Sequence, residues 1–294
     1  MWIADKWNEY TLIDISDGER LEKWGRYTLV RPDPQVILKN VKTSPLWNRA
    51  DASYRRARSG GGAWQDNKLP EKWTIAYGDL RFRIKPMGFK HTGLFPEQAT
   101  NWEWFSSLIR ERAACGKETR VLNLFAYTGG ATVAAAKAGA SVCHVDAAKG
   151  MVAAAKENAA LSGLAEARIR YIVDDCKKFI EREMRRGNRY DGIIMDPPSY
   201  GRGPTGEVWK LEENIDAFVS LAAELLSDDP AFFLLNSYTT GLSAAAMKSV
   251  TDLRVARGRN AFSEAEEIGL PVKEKGIVLP CGSSVRISFG RKCE

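Results

Sequence analysis

From about residue 98 onward, hydrophobic positions alternate between short apolar runs, typical of buried strands, and three-to-four-residue spacings, typical of helices. The strands this pattern predicts are 121–125, 141–145, 167–173, 190–195 and 231–236, and the helices are 102–114, 131–138, 151–162, 177–186 and 214–226. Strands separated by helices of this length favour parallel βαβ units with right-handed crossovers. Two final strands, 265–270 and 276–289, lack an intervening helix and predict an antiparallel edge pair. We therefore expect a doubly wound α/β sheet of seven strands.

The N-terminal pattern is different, with short β-like runs at 10–15 and 27–30 bounded by Asp, Gly and Pro. Residues 73–85 predict a hairpin that turns at Gly78-Asp79, with apolar and basic residues alternating along its second arm. Between these elements, residues 49–62 are rich in Arg and Gly and are expected to form a mobile basic loop.

The tryptophans are distributed unevenly, since eight of the nine lie before position 105. This shift in composition predicts two domains. Residues 1–86 would form a small β-rich module, a candidate for substrate recognition, and residues 87–294 the α/β domain.

Composition excludes several classes of protein. A net charge of +6 and a pI near 9.0 favour an anionic partner, first of all nucleic acid, although a merely basic enzyme would look the same. No apolar run of about 18 residues is present, so no membrane span is expected. Five scattered cysteines and two histidines favour neither a disulfide framework nor a metal site. The first residues lack a secretory-signal pattern, and we expect a cytoplasmic protein.

The chemistry-bearing motifs follow the predicted strands, where ligands bind in open α/β sheets. After the first strand, Gly129 and Gly130 allow a close approach of backbone to a ligand just before a helix. This segment has no G-x-G-x-x-G, which disfavours a nicotinamide oxidoreductase. Asp146, at the end of the second strand, can accept both ribose hydroxyl protons, or alternatively serves as the N-cap of helix 151–162.

The third strand ends in Asp174-Asp175-Cys176, an acidic turn that can receive an adenine amino group or simply cap a helix. The fourth strand ends in Asp196-Pro197-Pro198-Ser199-Tyr200, the most specific signal in the chain. Two prolines stiffen this turn and donate no N–H, so it offers carbonyl and carboxylate acceptors for an amine or a ring N–H. Tyr200 can stack on a planar ring.

Together these motifs resemble those of class I S-adenosylmethionine-dependent methyltransferases, and the Asp-Pro-Pro-Ser-Tyr segment resembles the catalytic motif of their nucleic-acid amino-methylating branch. Residues 90–98, 123–130 and 196–198 resemble more closely a family of bacterial 23S ribosomal RNA large-subunit methyltransferases, with 5-methylcytosine and 7-methylguanine enzymes, over about 87–240. The resemblance implies a Rossmann-like methyltransferase sheet and S-adenosylmethionine as the cofactor. It implies that the cofactor contacts Lys90, Thr92, Phe95, Asn123, Phe125, Ala126, Tyr127, Thr128, Gly129, Asp146, Asp175 and Cys176.

The reaction follows from the missing nucleophile. Methylation of cytosine at carbon 5 requires a thiolate that adds to the ring, and in the family it comes from the turn after the fourth or fifth strand. The corresponding turns here, 196–199 and 236–239, contain no Cys. We therefore expect methyl transfer to a base nitrogen in RNA, with ribosomal RNA favoured and no metal required. The expected catalytic residues are Asp196, Pro197, Pro198 and Tyr200.

Binding of RNA would use basic and aromatic side chains. The candidates for substrate binding are Arg55, Arg56, Arg58, Arg202 and Trp209, although each arginine could equally be a solvated surface charge. Two other functions stay open: a methyltransferase that acts on a small molecule or a protein, and a non-catalytic RNA-binding protein that retains the cofactor pocket.

Overall fold

The computed structural model describes residues 1–57, 61–65, 68–88, 90–202 and 208–290. The chain divides into two compact units. The larger unit contains Met1, Asn101–Glu267 and Gly282–Glu294, and the smaller contains Trp2–Thr100 and Ile268–Cys281. Residues 87–100 thus belong to the smaller unit by contact, while the functional boundary at residue 86 stays a prediction.

The smaller unit is built of short strands, as its sequence pattern predicts. They are β1 (Trp2–Ile3), β2 (Tyr10–Ser16), β3 (Glu19–Trp24), β4 (Tyr27–Pro32), β5 (Ala52–Arg56), β6 (Gly62–Gln65), β7 (Trp73–Tyr77) and β8 (Leu80–Ile84). Strands β2, β3 and β4 form an antiparallel meander, β5 joins β4 in parallel and β6 returns antiparallel to β5. The β7–β8 pair is the predicted hairpin, with Leu80, Phe82 and Ile84 buried as expected.

The expectation of a loop at residues 49–62 is wrong for the described part of this segment, because β5 and the start of β6 lie there. Ala52 and Tyr54 are buried at alternate positions, which anchors β5. A Cβ on Gly62 would lie 2.2 Å from the Arg55 carbonyl oxygen, so only glycine permits this close pairing. The prediction failed because the arginines of this segment were interpreted as loop residues, although the segment contains a strand.

The larger unit carries the predicted alternation of helices and strands. Its helices are α1 (Ala99–Ala114, from Asn101 onward), α2 (Gly130–Lys137), α3 (Lys149–Leu161), α4 (Cys176–Arg185), α5 (Leu211–Ala223) and α6 (Ala244–Thr251). Its strands are β9 (Arg120–Leu124), β10 (Ser141–Asp146), β11 (Ile169–Val173), β12 (Gly192–Met195), β13 (Tyr200–Arg202), β14 (Val208–Lys210), β15 (Phe232–Ser237), β16 (Ala261–Val272) and β17 (Ile277–Phe289). Strands β16 and β17 contribute residues to both units.

Seven of these strands form the sheet of the larger unit in the order β11-β10-β9-β12-β15-β17-β16. The first five run parallel to one another, and β17 runs antiparallel to β15. No helix separates β16 from β17, as predicted, but the expectation that they form an edge pair is wrong, because the part of β16 in the smaller unit pairs with β1 and β2. The expectation of a doubly wound, seven-stranded α/β sheet is confirmed.

Helices cover both faces of this sheet, because successive strand residues point to opposite sides. Phe233 of β15 belongs to the apolar cluster that includes Phe179 of α4 and Phe218 of α5. Its neighbour Phe232 stacks on Phe105 of α1, with ring centroids 5.8 Å apart. The core of the larger unit is therefore split into two layers by the sheet.

Strand β3 and helix α6 are among the elements that the sequence pattern did not predict. Strand β3 is rich in charged residues, two of which, Arg20 and Glu22, are nevertheless buried. Helix α6 starts after Ser243, whose hydroxyl caps it by accepting from Ala246 N at 3.1 Å. Within the described residues, none of the helices combines the length and the apolar character needed to cross a membrane.

Candidate active site

The carboxyl ends of three neighbouring strands bring the predicted motifs together. The last residue of β9 is paired with Val145 of β10 on one side and with Met195 of β12 on the other. Phe125, Asp146 and Asp196 therefore emerge side by side at one edge of the sheet. Ligands of doubly wound sheets bind at this edge.

The loop after β9 has an unusual backbone. Phe125 and Tyr127 adopt left-handed conformations with φ of 55° and 51°, which side chains of this size rarely do. Two hydrogen bonds hold the loop: Phe125 N donates to Cys176 Sγ at 3.3 Å, and Tyr127 N donates to Asp146 Oδ2 at 2.8 Å. Such strain costs about 1–3 kcal/mol per residue and is found mainly at functional sites.

The rest of this loop is fixed by close helix packing. A Cβ on Gly129, whose φ is 80°, would lie 2.7 Å from the Cβ of Ala155 on α3. Ala126 N donates to a β10 carbonyl oxygen at 3.1 Å, and Thr128 O accepts from the buried Asn158 amide at 2.9 Å. Only glycine fits where α2 and α3 meet, so the loop has a single defined course.

Asp146 is oriented by backbone amides on both of its oxygens. Oδ1 accepts from Ala148 N at 2.9 Å and Oδ2 accepts from Tyr127 N at 2.8 Å. The alternative role as a helix N-cap is wrong, because α3 starts after Ala148 and has no side-chain cap. Each carboxylate oxygen has two acceptor positions, so the Asp146 carboxylate can still accept ribose hydroxyls.

The acidic turn after β11 is a helix cap. Asp175 is the N-cap of α4, and its Oδ1 accepts from Lys178 N at 2.9 Å. Asp174 pairs with Arg182. Cys176 is buried beside the loop after β9, and burial raises the pKa of its thiol. The contact of Asp175 and Cys176 with adenine stays a prediction.

Asn123 lies in the interior. Its Nδ2 donates to Thr132 Oγ1 at 2.9 Å, and that hydroxyl lies 2.9 Å from His144 Nδ1. All three side chains are buried, and burial lowers the pKa of His144 to about 4. The imidazole is therefore neutral, and the Asn123 side chain ties β9 to α2.

The Asp-Pro-Pro turn is braced from two sides. Asp196 Oδ1 accepts from Asn236 Nδ2 at 2.8 Å, and Pro198 O accepts from the Trp209 indole N–H at 2.7 Å. Trp209 also packs against Phe218, with ring centroids 5.5 Å apart, and both rings contact Phe125. One of the acceptors expected to face a substrate, the Pro198 carbonyl, is thus used to hold Trp209, while Pro197 is buried beneath the turn.

Behind Asp196 runs a chain of buried hydrogen bonds that the motifs did not predict. Arg286 Nε donates to Asn101 Oδ1 at 3.0 Å, and Asn101 Nδ2 donates to Ser284 Oγ at 2.9 Å. Ser284 Oγ then donates to Asn236 Oδ1 at 2.7 Å. Every donor points toward Asp196, so the polar chain connects a buried cation to a carboxylate. Burial lowers the pKa of Arg286 to about 10, which leaves it protonated at neutral pH.

Tyr200 and Arg202 lie on β13, which pairs with β14 beyond the Asp-Pro-Pro turn. The Tyr200 side chain is 52% exposed, which leaves it accessible to a ligand. Of Arg202, only the backbone belongs to the described structure.

Three of the predicted cofactor residues lie in the smaller unit. Lys90 Nζ donates to Pro32 O at 3.2 Å, and burial lowers the pKa of Lys90 to about 8. Thr92 is fully buried, and the Phe95 ring lies 5.5 Å from that of His91. Their closure over the cofactor stays a prediction.

Two of the arginines proposed for substrate binding, Arg55 and Arg56, also lie in the smaller unit. Arg55 pairs with Glu19 at 3.4 Å, and Arg56 is exposed. Arg58 lies outside the described residues. Neither described arginine differs from an ordinary surface cation in its contacts.

Among the described cysteines, Cys143, Cys176 and Cys281 are buried and Cys115 is exposed. Burial raises the pKa of each buried thiol, to about 11 for Cys143. None of the four lies in the turns directly after β12 and β15, residues 196–199 and 236–239, where a nucleophile would be needed. In the described part of the chain, no three His, Cys, Asp or Glu side chains are grouped to hold a metal ion.

Sequence reasoning missed Asn236, Ser284, Asn101 and Arg286. Asn236 had a usable signal, since it is a polar residue at the end of an otherwise apolar strand beside the strand of Asp196. Ser284, Asn101 and Arg286 had no such signal. None of them lies in a recognised motif, and Asn101 is 183 residues from Ser284 and 185 from Arg286 in the chain.

Known proteins resemble this chain in sequence and in structure. The profile of a family described as "S-adenosylmethionine-dependent methyltransferase" matches residues 20–216. The match starts well inside the N-terminal module, which the motifs at 87–240 had left uncovered.

Among curated relatives, "Ribosomal RNA large subunit methyltransferase K/L" of Shewanella frigidimarina is 31% identical over 194 residues, which are 65% of this chain and 26% of that protein. The chain thus spans about a quarter of that relative's length. "Ribosomal RNA large subunit methyltransferase I" of Tolumonas auensis is 27% identical over 87% of this chain and 62% of that protein. A solved structure, the "SAM Dependent Methyltransferase from Agrobacterium tumefaciens", is 35% identical, with a TM-score of 0.89, and covers 97% of this chain and 93% of that one.

Proposed function

Because the chain belongs to the S-adenosylmethionine-dependent methyltransferase family, we propose that it transfers a methyl group to a base nitrogen in RNA, with ribosomal RNA the favoured substrate. The observation that carries this proposal is the braced Asp196 carboxylate, which follows β12 directly beside the loop after β9. A cofactor loop and an acceptor corner at adjacent strand ends are what methyl transfer between two bound molecules requires.

S-adenosylmethionine is the cofactor of this family, and the residues at the strand ends fit it. Each oxygen of the Asp146 carboxylate accepts one backbone N–H, one of them from Tyr127 in the loop after β9. Both oxygens keep a further acceptor position for the ribose hydroxyls. Asp175 and Cys176 lie at the next strand end for the adenine. When bound, the cofactor supplies an electrophilic methyl group on a sulfonium sulfur.

The protein's part in the reaction is alignment and exclusion of water. The Asp196 carboxylate can accept a hydrogen bond from a base amine, which directs the nitrogen lone pair away from the turn. Pro197 and Pro198 keep the turn rigid because their φ angles are fixed. The exposed ring of Tyr200 offers a face on which the target base can stack.

Nitrogen is favoured over carbon as the acceptor because a thiolate is needed for carbon methylation of cytosine. Cys176, which accepts a hydrogen bond from the loop after β9, is buried, and burial raises the pKa of its thiol, so it is protonated at neutral pH. The turns directly after β12 and β15, residues 196–199 and 236–239, contain no cysteine.

RNA is favoured as the substrate on two grounds. The two curated relatives described above are named ribosomal RNA large subunit methyltransferases. The net charge of +6 suits a polyanionic partner. We place the activity in the cytoplasm, where the four described cysteines would stay as free thiols.

A label-transfer experiment tests the proposal. Three reactions each contain the protein, methyl-tritiated S-adenosylmethionine and one possible substrate. The substrates are ribosomal RNA from cells lacking the gene, a protein extract and a small-molecule extract. We expect label in ribosomal RNA, and mass spectrometry of its nucleosides should identify an N-methylated base. Label in protein or in small molecules alone would assign the enzyme to the corresponding substrate class, and a C-methylated base would overturn the choice of nitrogen.

Asp196→Ala should abolish transfer while calorimetry gives a cofactor Kd within a few-fold of the wild type. Asp216→Ala, which removes an exposed carboxylate paired with Arg254 on the surface of α5, is the matched control. Full activity of Asp196→Ala would remove this residue from the mechanism. Cofactor binding without any turnover by the wild type would favour a non-catalytic RNA-binding protein.

A further inference from the structure

An open cavity of about 640 Å³ lies in the smaller unit and has no role in the chemistry described above. Its walls come from the β2–β4 meander and from the segment that leads into β7. The lining side chains include Lys23, Arg26, Tyr27, Lys72 and Trp73. We call this cavity the meander groove. Its volume falls within the range of about 300–1,000 Å³ that is usual for ligand sites.

The meander groove is preformed, because several contacts fix the β7–β8 hairpin against the meander. The Trp73 indole N–H donates to Trp24 O at 3.1 Å, and Ala76 N donates to Glu9 Oε2 at 2.7 Å. The Tyr27 and Trp73 rings meet edge to face, with centroids 4.9 Å apart. A ligand would therefore meet an ordered surface.

The charge of the meander groove is positive. Three cations line it, Lys23, Arg26 and Lys72, against one carboxylate, Glu9. The Glu9 carboxylate already accepts a backbone N–H, whereas Lys23 and Arg26 are exposed and form no ion pair with any described residue. The groove therefore favours an anionic ligand.

Flat cationic and aromatic surfaces lie next to these charges. The Arg26 guanidinium sits 4.9 Å from the centroid of the Tyr27 ring and donates to its hydroxyl at 2.7 Å. Guanidinium planes and aromatic rings are the surfaces on which unpaired bases stack, while lysines contact the phosphates between them. An acidic peptide would use the cations but would have no need of the planar surfaces.

We propose that the meander groove binds a single-stranded segment of the RNA substrate, with a base against Arg26, Tyr27 and Trp73 and phosphates against Lys23 and Lys72. The proposal rests on RNA being the substrate of the enzyme. It assigns to the smaller unit a docking surface made of β2, β3, β4 and β7 rather than of Arg55 and Arg56.

Fluorescence anisotropy with a labelled single-stranded RNA oligonucleotide tests the charges. Lys23→Glu/Arg26→Glu should weaken binding by about 10-fold or more, and the salt dependence of log K should flatten by about 0.7 for each phosphate that is no longer neutralised. The control Lys39→Glu/Lys68→Glu makes the same change in net charge at exposed positions that do not line the groove. It should bind within about two-fold of the wild type.

The stacking surface is tested separately. Tyr27→Leu keeps an apolar side chain but removes the aromatic face, and should weaken binding by about 5- to 100-fold with an unchanged salt slope. Photo-crosslinking of the unmodified protein to RNA containing 4-thiouridine avoids any problem of folding in the variants. Peptides that span residues 23–27 or 72–74 should carry the crosslink.

Failure of this inference can be told apart from failure of the proposed function. If the wild type methylates RNA but groove variants bind RNA like the control and no crosslink maps to these peptides, the groove assignment is overturned and the activity stands. If the wild type neither binds nor methylates RNA, both are overturned. Binding of polyglutamate, but not RNA, through Lys23 and Arg26 would reassign the groove to an acidic protein partner.

Discussion

Removal of the Ser284 hydroxyl tests whether the buried chain of hydrogen bonds orients Asp196. Ser284 has no exposed surface, and its Oγ bonds to Asn236 at 2.7 Å and to Asn101 at 2.9 Å. Ser284→Ala therefore leaves two buried amide groups without this partner. Each such loss costs about 1–3 kcal/mol, so we expect the free energy of unfolding to fall by about 2–3 kcal/mol after partial rearrangement.

The effect on catalysis should be separate from that on stability. Without this partner for its carbonyl oxygen, the Asn236 amide no longer has a fixed orientation, and Asp196 is less well aligned. We expect the activation free energy to rise by about 1 kcal/mol, which lowers kcat about 5-fold. Asn236→Ala removes the direct bond to the carboxylate and should cost about 10- to 150-fold. The KM for the cofactor should be unchanged in both variants, because Asp146 is held by other groups.

Steady-state methyl transfer, measured well below the melting temperature of every variant, gives these values, and urea unfolding gives the stabilities. Ser284→Thr keeps a hydroxyl and should recover most of kcat. Ser106→Ala removes another buried hydroxyl, which donates to Ala134 O at 3.4 Å, and should leave kcat unchanged. Wild-type kcat in Ser284→Ala would refute the positioning role, and an equal loss in Ser106→Ala would reduce it to a general effect of stability.

Three further predictions follow from the larger unit. Asp146→Ala should weaken cofactor binding by about 1–3 kcal/mol in calorimetry, whereas the surface control Asp216→Ala should not; wild-type affinity in Asp146→Ala would place the ribose elsewhere. Gly129→Ala should lower the melting temperature and the cofactor affinity together, because its Cβ would lie 2.7 Å from that of Ala155 at a φ of 80°; a stable, active variant would contradict the packing argument. Burial lowers the pKa of His144 to about 4. Between about pH 6.5 and pH 4 the unfolded chain therefore binds more protons than the folded protein, and the free energy of unfolding decreases as the pH is lowered. From pH 7 to pH 5 this group should account for about 2 kcal/mol, measured as the difference between the wild type and His144→Gln in urea unfolding; identical pH profiles would show that the imidazole is not the source.

Much of the fold was predictable because its signals are local. The change from strand to helix spacing identified the elements of the larger unit, and parallel strands place their carboxyl ends at one edge, so Asp146 and Asp196 were expected together. Where the local signal was misleading, the prediction failed. The arginines of β5 looked like loop residues, although Ala52 and Tyr54 carried the alternation of a strand.

Local patterns along the chain were thus enough to predict the alternating strands and helices of the larger unit and the residues that follow each strand, and the resemblance of those residues to a known family implied the cofactor. Which polar groups meet became visible only in the folded protein: Asn101, Ser284 and Arg286 behind Asp196, and Trp209 on Pro198 O. The difference arises because periodicity and turn chemistry act over a few residues. The partner of a buried polar group, by contrast, depends on which distant segment packs against it, and each such group must find one.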